Sequence, residues 1–93
     1  MYDLEIKEEA DKIFSKLAKK NPKQLQIISN KVKEIRERPH GYKFLRAPLQ
    51  MFNRVHIDTH FVLVFRIDNE RKVIEVYYYD HHDFVYSWRP RGE

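Results

Sequence analysis

The sequence predicts an α+β fold. An N-terminal strand and an antiparallel helical hairpin come first, the hairpin packed on one face of an antiparallel sheet, with a short C-terminal helix or tail, in the order β-α-α-β-β-β. Three observations predict it. Apolar residues recur at helical spacing through residues 10–18 and again through 25–35, with Asn21-Pro22 between the two runs. After His40-Gly41 the apolar period changes to two. The later connections are short, which favours antiparallel neighbours. With no repeat and no linker, a single domain over residues 1–93 is expected.

Each element has its own signal. Tyr2-Asp3-Leu4-Glu5-Ile6 alternates apolar and polar side chains, as a short strand does. Ala10, Ile13, Phe14, Leu17 and Ala18 then form one helical stripe, and Lys12, Lys16, Lys19 and Lys20 take the remaining surface. Acids in the first turn and lysines in the last suit the helix dipole. Asn21-Pro22 ends this helix, and Pro22 can begin the next, whose stripe is Leu25, Ile28, Val32 and Ile35 and which stops by Arg38-Pro39. Residues 42–46 form a short extended segment closed by Ala47-Pro48. Residues 53–58 alternate, with Val55 and Ile57 on one face and Arg54, His56 and Asp58 on the other. Thr59-His60 marks a tight turn. Phe61 to Ile67 is almost continuously apolar, as in a central strand covered on both faces. Residues 68–72 make a polar turn, Val73 to Asp80 a last strand, and Phe84, Val85, Tyr86 and Trp88 a short tail. Trp88 reads as a tail anchor or partner contact.

Composition narrows the function classes. Hydrophobic residues make up 42% of the 93 and charged residues 34%, an ordinary globular balance. No run approaches the ~20 apolar residues of a membrane-spanning helix, the N-terminus is unlike a signal peptide, and an intracellular, cytoplasmic location is the default expectation. With no cysteine there is neither a disulfide framework nor a thiolate zinc site. Charge is unevenly spread. Residues 1–11 carry five acids and one lysine, whereas residues 12–46 carry eleven Lys or Arg against Glu34 and Glu37. A solvated lysine-rich helix surface accounts for part of this, and a polyanionic partner such as nucleic acid would use the same charges.

The candidate site residues cluster after residue 42. A sheet face carrying Arg54, His56, Arg66 and some of the tyrosines suits RNA, with cations on phosphates and rings stacked on bases. Tyr77, Tyr78 and Tyr79 should alternate faces, at least one of them toward the core. The run Asp80-His81-His82-Asp83 also raises metal binding. Adjacent histidines on an extended chain point to opposite sides, and there is no HExxH pattern, so no metal and no cofactor are expected. His40, between Pro39 and Gly41, reads as a turn residue, and His81 as a backbone hydrogen-bonding partner where strand meets tail.

The order of elements, the chain length and two segments together resemble the RelE/ParE superfamily of toxins from toxin–antitoxin systems, RelE more than ParE. "KFLRAPLQMFNRVHIDTHFVLVFRID" resembles the family's basic segment, Arg-bearing strand and "YRVIY"-like central strand. "DHHDFVYSW" resembles its closing "HRxxVY" element, with His81 at the His, His82 at the Arg and Val85-Tyr86 at the end. The resemblance covers nearly the whole chain. It implies a ribosome-dependent endoribonuclease that cuts mRNA without a metal. The ribose 2′-OH attacks the adjacent phosphate, leaving a 2′,3′-cyclic phosphate and a 5′-OH.

By the same resemblance Lys43 and Arg46 lie in the basic segment, Arg54 or His56 at the strand Arg positions, His82 at the closing Arg and Tyr86 at the catalytic or stacking Tyr. The central strand's Arg is replaced by Val62, with His60, Arg54 or Arg66 as possible substitutes. Two imidazoles near one phosphate can serve as base and acid, so His82 with His81, His56 or His60 offers another route. The expected catalytic set is therefore His82, Tyr86, Arg54 and His56, with Lys43, Arg46, Arg66, His60 and His81 as RNA contacts. The implied partners are mRNA on the ribosome and an acidic, RelB-like antitoxin, the toxin being a monomer within that complex, with no membrane association. A ParE-like gyrase inhibitor and a non-cleaving RNA- or antitoxin-binding protein are the alternatives.

Overall fold

The computed structural model describes residues 1–91. Its elements are β1 (Asp3–Ile6), α1 (Glu8–Lys20), α2 (Pro22–Glu37), β2 (Lys43–Phe44), β3 (Asn53–Ile57), β4 (Phe61–Asp68), β5 (Val73–His81) and a 3-10 turn at Val85–Ser87. The predicted α+β class and the helical hairpin hold. The five strands lie in the order β1-β5-β4-β3-β2, with β2 through β5 an antiparallel meander. β1 joins β5 in parallel, so the sheet is mixed where a wholly antiparallel one was expected. Parity explains the difference. The extended segment at residues 43–44 is itself an edge strand, so β5 lies six elements after β1, and a reversal at each connection restores the direction of β1.

Asn21 joins the two helices in one residue. It ends α1 through its backbone N–H to the Leu17 carbonyl, and its Oδ1 accepts from Gln24 N at 3.2 Å to cap α2, with Pro22 at the first helical position. The N-terminal strand is tied down from both sides. Tyr2 N donates to the Arg36 carbonyl at 3.0 Å, and Arg36 Nε donates to the Tyr2 carbonyl at 2.7 Å.

Two apolar clusters hold the sheet. Between helices and sheet, Ala10, Phe14, Ile28, Val32 and Ile35 meet Ile57, Leu63, Phe65, Ile74, Val76 and Tyr79. The predicted stripes supply this core, with Gln24 as a polar addition: its Nε2 donates to the Tyr79 hydroxyl at 2.7 Å. Burial pushes the Tyr79 pKa up, and the Gln24 bond partly offsets that. On the other face, Leu45, Leu49 and Phe52 from the loop after β2 fold over Val62, Val64 and Tyr77, joined by Val85 and Trp88 from the tail. Trp88 stacks on Tyr78 with centroids 5.1 Å apart, and its Nε1 donates to Glu9 Oε1 at 2.9 Å, anchoring the tail to the start of α1.

A β-bulge corrects the expected alternation of the three tyrosines. Val64 is opposite Tyr78 and Phe65 opposite Val76, so Tyr77 is an extra residue in β5. Tyr77 and Tyr78 therefore both pack with the second cluster, and Tyr79 turns to the helices. The second face is thus not an open platform. Its middle is covered, and polar side chains gather at its two ends.

Candidate nucleic-acid interface

At one end of the second face, β3, β4 and the tail enclose a shallow groove of about 270 Å³. Arg54 and His56 come from β3, where alternation places both on the face away from the helices. Val62 on β4, opposite His56, is buried in the groove's floor with Val85. Arg46, Phe44, His82 and Tyr86 complete the wall. Among the described residues no carboxylate belongs to this lining.

The polar groups in the groove hold one another. Arg54 Nη1 lies 3.3 Å from His56 Nε2. A guanidinium has only donors, so the contact is a hydrogen bond in the tautomer that leaves Nε2 unprotonated. The Tyr86 hydroxyl oxygen accepts from the backbone N–H of Arg46 at 3.2 Å, while the Arg46 guanidinium lies 4.1 Å from the centre of the Tyr86 ring. The tyrosine thus keeps its own O–H free to donate, with a cation over its ring. On β5, where Asp80 lies opposite Val62, Tyr78 donates to Asp80 Oδ2 at 2.6 Å. Burial first, and then this hydrogen bond, push the Tyr78 pKa well above the ordinary phenol value.

All four residues expected to be catalytic (His82, Tyr86, Arg54 and His56) line this groove, together with Arg46. The other expected contacts lie outside it. Lys43 sits opposite Arg54 on the edge strand, exposed and beyond the lining. Arg66 is at the far end of the sheet, where its Nε is 3.6 Å from Glu75 Oε1. Glu75 is buried there, flanked also by Lys7 and Arg71 at 3.9 Å each, and Glu5 binds Lys7 at 3.0 Å. The Glu5 hydrogen bond is the main cause of a raised Lys7 pKa. Arg66 is thus engaged in an ion-pair cluster away from the groove that holds Val62. The register does this: Arg66 pairs with Glu75 three residues before the turn, a partnership the order of residues along one chain does not reveal.

His60 and His81 also lie beyond the lining, stacked beside His82. The His81 and His82 rings are 4.4 Å apart, and His60 is 5.9 Å from His81 and 6.2 Å from His82. The expectation that adjacent histidines diverge fails because β5 ends at His81 and the chain turns at His82. Phe44 was missed as a groove residue. Its signal was available: a large aromatic between two cations in a segment too short to bury it, 61% exposed.

No family model matches the chain. It is 57% identical over 86 residues to an uncharacterized protein of Methanosarcina mazei, covering 92% of this chain and all of that one. It is 49% identical over 87 residues to the protein named "Putative toxin RelE4" of Methanocaldococcus jannaschii, covering 94% and 93%. Among solved structures, that of the toxin–antitoxin complex RelBE2 of Mycobacterium tuberculosis superposes with a TM-score of 0.73 at 22% identity, over 87% of this chain and 98% of that one, a likeness of fold. A relative half identical along nearly its whole length, on this fold, assigns the chain to the RelE family of toxins.

Proposed function

We propose that this toxin is a ribosome-dependent endoribonuclease that cuts mRNA by transesterification in the groove. The observation that carries the reading is the lining itself: two arginines, two imidazoles and a phenol converge, and among the described residues no carboxylate joins them. Two arginines would hold a phosphodiester, and among phosphodiesters RNA supplies its own nucleophile, the 2′-OH. Arg46 and Arg54 hold the scissile phosphate and stabilise the charge that builds on it. Once the phosphate takes the Arg54 donors, His56 Nε2 is free to accept the 2′-OH proton. The 2′-oxygen bonds to phosphorus, the bond to the 5′-oxygen breaks, and Tyr86 gives its proton to that oxygen. The products are a 2′,3′-cyclic phosphate and a 5′-OH, and solvent restores the two side chains. Phe44 and Tyr86 offer faces on which bases stack, and His82 borders the substrate.

The partner in this reading is an antitoxin, as in the mycobacterial complex. The eleven basic residues between 12 and 46 favour an acidic one. Val62 supports a second reading, in which the toxin binds RNA without cutting it, because the floor is apolar where the resemblance implies Arg. Adding the purified chain to translating ribosomes separates the two. Mapped 5′-OH ends at A-site codons with cyclic phosphate on the upstream fragment are the expected result. Translation arrest on uncut mRNA points to the second reading, and stalled gyrase supercoiling with neither effect points to a ParE-like toxin.

A further inference from the structure

Three histidines, two of them beyond the groove and His82 on its wall, form a cluster of their own. His60 comes from the β3–β4 turn, His81 ends β5 and His82 follows it. One ring nitrogen of each lies within 4.8 Å of the other two. The hydrogen bond from His82 N to the His60 carbonyl, 2.8 Å, fixes the turn against the end of β5. His60 and His82 are exposed and His81 is half-buried, so an ion has open access and the rings have room to turn.

Asp83 gives the cluster its direction. One of its carboxylate oxygens is 3.1 Å from His82 Nδ1 and the other 3.5 Å from His81 Nδ1. A carboxylate accepting from Nδ1–H holds a neutral imidazole in the tautomer that leaves Nε2 as a free lone pair. His81 Nδ1 now also accepts from Asp83 N at 3.1 Å, and that bond gives way when the ring carries its proton on Nδ1. Three imidazoles, two of them backed by Asp83, with the remaining positions open to water, are the donor set of a tri-histidine centre. Nitrogens on a tetrahedral ion are about 3.3 Å apart at the usual metal–nitrogen length, so the rings need to close by roughly 1.5 Å at most, within reach of side-chain rotation.

We propose that His60, His81 and His82, with Asp83 behind them, bind one divalent first-row transition ion of the imidazole-preferring kind, Zn²⁺, Ni²⁺ or Cu²⁺. The site stands independently of whether the groove cuts RNA, although it shares His82 with it. The untagged full-length chain is titrated with Zn²⁺ by calorimetry and with Co²⁺ by visible absorption. One ion per chain is expected, with a Co²⁺ band of low-coordinate intensity. His60→Ala and His81→Ala should each weaken Zn²⁺ binding by ~10-fold or more, Asp83→Asn by about 10-fold, and His40→Ala not at all. In the unmutated chain Zn²⁺ should shift the ring NMR signals of His60, His81 and His82 together, a readout that no folding defect can imitate. Absence of saturable binding, wild-type affinity in His60→Ala, or shifts confined to other histidines would overturn the proposal.

Discussion

Arg54 and Arg66 stand on the same sheet face, on neighbouring strands, and do opposite things. Arg66 lies against the buried Glu75 in a cluster with Lys7, Arg71, Glu5 and Asp68, where three positive charges face three carboxylates. Arg54 faces a groove whose lining holds a second arginine, Arg46, and no acid. In the first region an ion-pair network joins β1 to β5. In the second, two arginines line one groove, where an anion such as a phosphate would be attracted. Counting arginines on a face does not separate the two regions, whereas asking which arginines face carboxylates does.

The widest separation between the regions should appear in cleavage. His56→Ala should reduce ribosome-dependent cutting by ~10²–10⁴-fold, the range for a positioned proton acceptor, with the circular dichroism spectrum unchanged. Tyr86→Phe, which keeps the ring under Arg46 and removes only the donor, should cost about 10²-fold. In the compensated region the readout is stability. Arg66→Ala should lower it by about 1 kcal/mol or less in urea denaturation, because Arg66 is partly exposed and Lys7 and Arg71 still face Glu75. The smallest effect is alkaline. Tyr78 and Tyr79 have raised pKa values in the folded chain, so their stabilising protonated forms are fully present below pH ~10 and stability falls as pH rises above it. Tyr78→Phe should flatten that decline in pH-dependent melting.

Much of the fold was legible because helical stripes, Asn21-Pro22 and strand alternation are local signals. The groove was legible in part, since Arg54 and His56 share a strand face and the closing segment resembles a known element. What stayed hidden depends on pairing across the chain. Glu75 claims Arg66 only through the register of β4 and β5, the bulge puts Tyr77 beside Tyr78, and the loop carrying Leu45, Leu49 and Phe52 covers a face that seemed open. The stacking of His60 on the His81–His82 pair likewise needs the β3–β4 turn and the end of β5 to meet.

The most direct test of the central claim sets the two arginines side by side in one assay. Arg54→Ala and Arg66→Ala are added separately to translating ribosomes, and mRNA 5′ ends are mapped at equal toxin concentration. Arg54→Ala should lose about 10²–10³-fold, the scale of one transition-state charge contact, and Arg66→Ala should cut as the wild type does. Equal losses in the two, or full activity in Arg54→Ala, would contradict the claim.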